Sequence, residues 1–207
     1  MKIAIDGPAG SGKSTIARIL AQKLGFRHID TGAYYRWVTC RALDSGVPLT
    51  EAEAIIQTAE HTDFSRIDEA RIRTQEVSAS VSAVSAIPGV RRCVVAQQRQ
   101  AAAQNNIVME GRDIGSVVFP DAELKIFLTA SVEERARRRQ AELAARGETV
   151  ELAKIQAKIA ERDRQDSTRQ ASPLRKTPDA VEIDTSGLTI EQVVDKIMAI
   201  YNEMKVV

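Results

Sequence analysis

Short apolar runs alternate along the chain with longer stretches in which apolar positions recur every three or four residues. The first run, residues 2–6, reads as a short buried strand. Ile16, Ala17, Leu20 and Leu24 follow at helical spacing, and Gly25 closes that helix. A strand over 26–29 leads into a loop at 30–36, which feeds a second helix with Trp37, Val38, Ala42 and Leu43 on its inner face. Gly46-Val47-Pro48 breaks it, and Thr50-x-x-Glu53 has the form of a capping box opening a helix through Ala59. Residues 61–71 show no period. Helices are expected over 73–87 and 90–104, punctuated by Pro88-Gly89. Strands are expected over 107–109, 124–128 and 181–183. Ser131-x-x-Glu134 opens an arginine-studded helix, and another covers 151–166. Thr189-x-x-Gln192 starts the last, burying Ile190, Val193, Val194, Ile197 and Tyr201. Strands alternating with helices in this way predict an α/β fold, a parallel sheet of about five strands covered by helices on both faces. Ligands of such sheets lie beyond the C-terminal strand ends. The segments after the first three strands are therefore expected to converge on one cleft.

Composition narrows the picture only slightly. The 207 residues are 43% hydrophobic and 28% charged, an ordinary balance for a soluble globular protein, with a formal net charge of +1. A chain so close to neutral, with 4% aromatic residues, lacks the field and the stacking surface of a nucleic-acid coat. Of the 29 basic residues 20 are arginine, whose planar fork suits phosphate. Cys40 and Cys93 form neither a disulfide framework nor a zinc-ligand spacing. Asp6 interrupts the N-terminal apolar run before it reaches signal-sequence length, and no run approaches a membrane span. The expectation is a cytoplasmic protein.

The strongest chemical signal is Gly7-Pro8-Ala9-Gly10-Ser11-Gly12-Lys13-Ser14, which fits G-x-x-x-x-G-K-[ST] between a strand and a helix. Glycines let consecutive backbone N–H groups turn toward one anion, and the helix that begins there adds its positive end. Lys13 can reach the outer phosphates of a nucleoside triphosphate, and Ser14 can ligate Mg2+. Residues 7–15, with Thr15 last, form the expected ATP-binding loop. The loop alone does not separate a kinase from a GTPase, an ATPase or a transporter motor. A GTPase would need an N/T-K-x-D base-recognition motif, and none occurs. Arg162, Asp166 and Arg169 share one helix face by spacing if the helix extends that far, which fits either an anion site or a solvated salt-bridge face. Arg135, Arg137, Arg138, Arg139 and Arg146, partly offset by Glu133, Glu134 and Glu142, fit either surface charge or a mobile phosphate lid.

Further segments carry a family resemblance. Asp30-Thr31-Gly32-Ala33-Tyr34-Tyr35-Arg36 is similar to the D-[ST]-G-A-x-Y-R segment of bacterial cytidylate kinases. Residues 73–77, R-T-Q-E-V, resemble that family's monophosphate-domain motif. Residues 110–122, E-G-R-D-I-G-S-V-V-F-P-D-A, resemble its G-R-D signature, with Ser116 in the usual Thr position. Arg162-Asp163-x-x-Asp166-x-x-Arg169, followed by Ser172-Pro173-Leu174, matches as well. Two departures stand out. Only about residues 62–72 occupy the place of a longer, strand-rich insertion, and Tyr34 stands where the family often has an aliphatic residue or Met.

The resemblance implies a P-loop NTPase fold of the nucleoside monophosphate kinase type and transfer of phosphate from ATP to CMP or dCMP with Mg2+. It implies a core of 1–45, 105–134 and 170–207, an acceptor-binding region of about 46–104, and a lid of about 135–169. Thr31, Arg36, Ser82, Arg91, Arg112, Asp113, Arg162, Asp166 and Arg169 would hold the acceptor, with Asp166 at the sugar hydroxyls. Lys13, Arg112, Arg162 and Arg169 would carry catalysis, and Arg139 of the lid would meet ATP. Asp30 and Glu110 are candidates to hold Mg2+-bound waters. Small-molecule nucleotides are the expected partners, with neither nucleic acid nor membrane, and the chain is expected to be a monomer. The alternatives are a P-loop kinase for UMP, AMP or a metabolite such as shikimate, and a nucleotide-binding module without transfer activity.

Overall fold

The computed structural model describes residues 1–103, 106–145 and 147–206. Its contacts divide the chain into two compact units, one of residues 1–29, 105–168 and 172–207, the other of 30–104 and 169–171.

The first unit is built on a parallel sheet of five strands in the order β2-β3-β1-β4-β5. These are β1 (Lys2–Asp6), β2 (Arg27–Asp30), β3 (Ile107–Gly111), β4 (Leu124–Thr129) and β5 (Val181–Asp184). The strand that opens the chain is central: Asp6 stands in register with Gly111 of β3 and with Phe127 of β4. Helix α1 (Lys13–Leu24) and the C-terminal α8 (Ile190–Val206) pack against the sheet. Ile3, Ile5, Leu20, Val108, Ile126, Leu128 and Ile197 form the core, each at most 1% exposed. Strand β2 starts one residue later than the apolar pattern predicts. Phe26 instead turns edge-on to Tyr201 of α8, 6.3 Å between ring centres. The cap at Thr189 forms as expected: its N–H donates to the Gln192 side chain (2.9 Å), and its Oγ1 accepts from the Gln192 N–H (3.2 Å).

Helices α6 (Val132–Ala144) and α7 (Leu152–Thr168) complete this unit. Ser131 caps α6 by accepting from the Glu134 N–H. The pair has a small core of its own, Ala136 with Ile155 and Ile159, onto which Leu143, Val150 and Leu152 pack. Helix α7 ends at Thr168, so Arg169 does not continue the face of Arg162 and Asp166; it belongs to the second unit. Arg146 lies outside the described residues.

The second unit is helical. No loop separates β2 from α2 (Thr31–Asp44): Asp30 ends the strand and caps the helix at once, accepting from the Ala33 N–H at 3.3 Å. Tyr35 and Val38 of α2 pack with Ile55 of α3 (Ala52–Glu60), Val81 and Val84 of α4 (Gln75–Ala86), and Val90 and Val94 of α5 (Pro88–Ala101). Trp37, expected inside, is half-buried and donates from Nε1 to the Asp63 carbonyl at 3.0 Å. Helix α3 starts at Ala52 without the Thr50 cap, because Glu51 N–H closes a turn onto the Pro48 carbonyl and the helix begins only after it. Helix α4 begins at Gln75 rather than at 73, with Thr74 as its cap. Helix α5 begins at Pro88, a residue suited to the first turn, where its missing N–H is not needed. Its expected end at Gln104 lies outside the described residues. The aperiodic segment folds as two short 3-10 turns, Phe64–Arg66 and Arg71–Arg73. Phe64 stacks on Tyr34 with ring centres 5.2 Å apart, so the shortened segment and the unusual tyrosine pack on one another.

Candidate functional site

Between β1 and α1 the chain must reverse without its own hydrogen-bond ladder, and glycine makes the reversal possible. A Cβ on Gly7 would lie 2.0 Å from the Leu128 carbonyl oxygen, and Gly12, which opens α1, has φ 89°. Ser11 Oγ donates to the Pro8 carbonyl (3.1 Å), folding the loop back on itself. Two loop carbonyls are held by distant residues: Arg135 donates to the Ala9 carbonyl (3.1 Å) and Thr185 to the Ser11 carbonyl (3.3 Å). Both carbonyls are thereby engaged by residues outside the loop. Ser14, in the first turn of α1, is exposed.

Lys13 is 5% exposed, and its Nζ donates to the Pro8 carbonyl at 2.6 Å. Burial pushes its pKa down to about 7, helped by Arg112 and Arg162 and opposed by Glu110 and Asp6. At pH 8 the ligand-free loop therefore holds a largely neutral amine, whereas a triphosphate beside it favours the ammonium. ATP binding at pH 8 in EDTA is expected to take up a proton. Calorimetry in buffers of different ionisation enthalpy reads the uptake, which should shrink toward pH 6, where Lys13 is already charged, and vanish in Lys13→Met. The same shift makes Lys13's contribution to folding stability rise as pH increases from about 7 toward its ordinary value, because over that interval the unfolded chain binds the extra proton.

The sheet brings a second group of charges beside the loop. Glu110 and Asp113 are each 4% exposed at the end of β3. Arg112 Nε donates to Asp166 Oδ2 at 2.8 Å, which answers for this pair whether the α7 residues form a solvated salt-bridge face: Asp166 is 7% exposed. One turn earlier, Asp163 accepts from Arg135 at 2.6 Å. Arg135 is 4% exposed and also donates to the Ala130 carbonyl, so it is a buried brace between the phosphate loop and α7 rather than surface charge. Arg138 binds Thr185 through both the hydroxyl and the carbonyl. Arg137 and Arg139 are exposed and paired with Glu133 and Glu142.

In the second unit, Arg36 on α2 donates to the Ile72 carbonyl (3.2 Å) and to Ser78 Oγ (2.9 Å). Arg91 on α5 is buried, its guanidinium 5.0 Å over the Tyr35 ring, and it donates to the Ser85 carbonyl. Ser82 is half-buried on α4, one turn from Ser85, and Thr31 is buried at the start of α2. Arg73 pairs with Glu69 (2.8 Å) and approaches Asp30 (3.9 Å). Among the described residues no three His, Cys, Asp or Glu side chains form a metal cluster. Mg2+ keeps several waters and commonly takes one or two carboxylates together with substrate phosphates. A serine hydroxyl at the loop and the buried Glu110 carboxylate fit that requirement.

Strand order, glycine loop and buried lysine define the class: this is a P-loop nucleotide-binding fold. Solved structures agree on the fold. Shikimate kinase from Bacteroides thetaiotaomicron superposes with TM-score 0.53 at 14% identity, covering 98% of each chain. A gluconokinase from Sinorhizobium meliloti gives 0.52 at 16%, over 96% of this chain and 89% of that one. The family model described as "Cytidylate kinase" matches residues 3–203. The cytidylate kinase of Carboxydothermus hydrogenoformans is 50% identical, covering 97% of this chain and 96% of its own. That of Desulfitobacterium hafniense is 47% identical, over 98% and 93%. A bifunctional pantoate ligase/cytidylate kinase from Synechococcus is 49% identical over 98% of this chain, which spans 40% of that longer protein. The chain belongs to the cytidylate kinase family.

Proposed function

We propose a division of labour among the residues of this kinase for the transfer of the γ-phosphoryl group of ATP to an α-phosphate oxygen of CMP. As a member of its family the enzyme makes CDP and ADP: one P–O bond forms to the acceptor oxygen, and the bond between the γ-phosphorus and the β–γ bridging oxygen breaks. The acceptor oxygen is anionic at neutral pH, so the reaction needs no general base. What it needs is alignment and positive charge around a spreading negative one. The observation that carries this reading is geometric: the glycine loop leads directly into the buried Lys13, and just past the end of β3, the strand paired with β1, Arg112 is fixed by Asp166.

In this reading, residues 7–15 cradle the ATP phosphates and Lys13 stabilises the transferring group. Arg112, Arg162 and Arg169 complete the charge around it. Ser14 would hold Mg2+, with Glu110 and Asp30 acting through its waters, and the ion would supply positive charge to offset that of the donor phosphates. Thr31, Arg36, Ser82, Arg91 and Asp113 serve the acceptor nucleotide, and Asp166 serves its sugar. Residues of about 135–169, including Arg139, act as the lid that excludes water from ATP. Residues of about 46–104 form the acceptor region and the remainder the core. We further propose that dCMP is an acceptor, and that the enzyme works as a cytoplasmic monomer. Among the described residues no single helix is long and apolar enough to cross a membrane.

ADP formation measured with CMP, dCMP, arabino-CMP, UMP, AMP and shikimate tests the assignment. Turnover is expected with CMP and dCMP, and preference for another acceptor would overturn the acceptor roles of Thr31, Arg36, Ser82, Arg91 and Asp113. Asp166→Ala should reduce kcat/KM for CMP about 10-fold more than for dCMP or arabino-CMP. An equal loss on all three would remove Asp166 from the sugar.

A further inference from the structure

Asp6 has no part in the roles assigned above, yet it is a buried carboxylate at the centre of the sheet, 6% exposed and immediately before the phosphate loop. Its two oxygens are both spent on one target. Oδ1 accepts from the Ile114 N–H and Oδ2 from the Gly115 N–H, each at 2.8 Å. These are the first amides of the π-helical turn Ile114–Val118, where no earlier turn can supply them with carbonyls. The turn's own bonds start at the Asp113 carbonyl, which accepts from Val117 and Val118. Asp6 also pairs in register with Gly111, the last residue of β3. One residue of β1 thus holds both ends of the short span that contains Arg112: Gly111 by strand register, and Ile114 and Gly115 by two charge-assisted hydrogen bonds.

We propose that Asp6 is a positioning residue that acts through Arg112, fixing the distance between the phosphate loop and the guanidinium that meets the transferring phosphate. Because Asp6 is followed directly by Gly7, the same residue sets the start of the loop and the aim of Arg112. Ionising a carboxylate there is costly. Burial raises its pKa to about 6, the neighbouring Asp113 adds to the rise, and only the two amides and Lys13 oppose it. The two amides need two acceptor oxygens, which an ionised carboxylate offers and a neutral carboxamide of the same shape does not, so the charge is kept despite its burial.

The test is a double-mutant cycle on kcat with Asp6→Asn and Arg112→Ala. Asn keeps the shape but turns an N–H toward one of the two amides. Alone, Asp6→Asn is expected to lower kcat about 10-fold or more, with KM for ATP changed less than about 3-fold. In the Arg112→Ala background the same substitution should change kcat less than about 3-fold, because the group it positions is gone. A loss of equal factor in both backgrounds, or wild-type kcat in Asp6→Asn, overturns the proposal. Since the inference rests on Arg112 meeting the transferred phosphate, Arg112→Ala by itself separates the two ideas: wild-type kinetics there overturns that reading, whereas multiplicative losses overturn only the role of Asp6. If Asp6→Asn does not fold, Asp6→Glu, which keeps the charge but displaces it by one methylene, takes its place in the cycle with the same expected outcomes.

Discussion

Lys13→Met is expected to lower kcat by about 10³-fold or more while leaving the ligand-free protein at least as stable as the wild type. The rate loss follows from the reaction. Phosphoryl transfer is accelerated almost wholly by positioned positive charge, and a single such group is worth about 10³–10⁵ in kcat where it has been removed or supplied. The stability expectation follows from the site. Lys13 is buried, and burial lowers its pKa to about 7 against the pull of Glu110 and Asp6. Methionine fills similar space without an ion to desolvate. The amine's bonds to the Pro8 carbonyl and Ser11 Oγ are lost, but Ser11 still closes the loop onto Pro8. Steady-state kinetics and thermal denaturation on the same preparation check both halves. A fall in Tm together with kcat would show the lysine to be a structural strut of the loop.

Arg112→Ala is expected to cost 10²-fold or more in kcat/KM for CMP, and unlike the lysine it should also destabilise the protein. Its Nε–H to Asp166 bond lies where both side chains are largely buried, so the alanine variant leaves a carboxylate with one fewer partner. Losing a hydrogen bond to a buried charged group costs on the order of 1–3 kcal/mol. Arg112→Lys should not restore activity, because an ammonium cannot hold Asp166 from one edge while offering the rest of a planar fork to a phosphate. Full activity in the lysine variant would reduce the role of Arg112 to charge alone.

Residues close in sequence announced much of the site. The strand, glycine loop and helix over 2–24 are a local unit whose spacing carries its own mechanism, and they fold as read. The Ser131 and Thr189 caps likewise depend only on residues three apart. Local reading failed where a short-range alternative won. Asp30 capped α2 in place of a loop, a Pro48 turn displaced the Thr50 cap, and α7 stopped before Arg169. The arginines at 135–139 showed the limit of composition. Their spacing left surface charge and lid equally open, and the structure sorted them individually: Arg135 into the interior, Arg138 onto Thr185, Arg137 and Arg139 into solvent-side pairs.

By itself the sequence determined the class of chemistry, because a phosphate loop and a G-R-D turn are contiguous motifs whose residues act from adjacent backbone positions. Only the tertiary structure decided how those motifs are held. The braces on the loop and on Arg112 come from residues far away in the chain: Arg135 on Ala9 across 126 residues, Thr185 on Ser11 across 174, and Asp6 on Ile114 across 108. No periodicity or spacing encodes such pairs. They exist because parallel strands set side by side place their C-terminal ends together, and only there can a single buried carboxylate or guanidinium join segments that the sequence keeps apart.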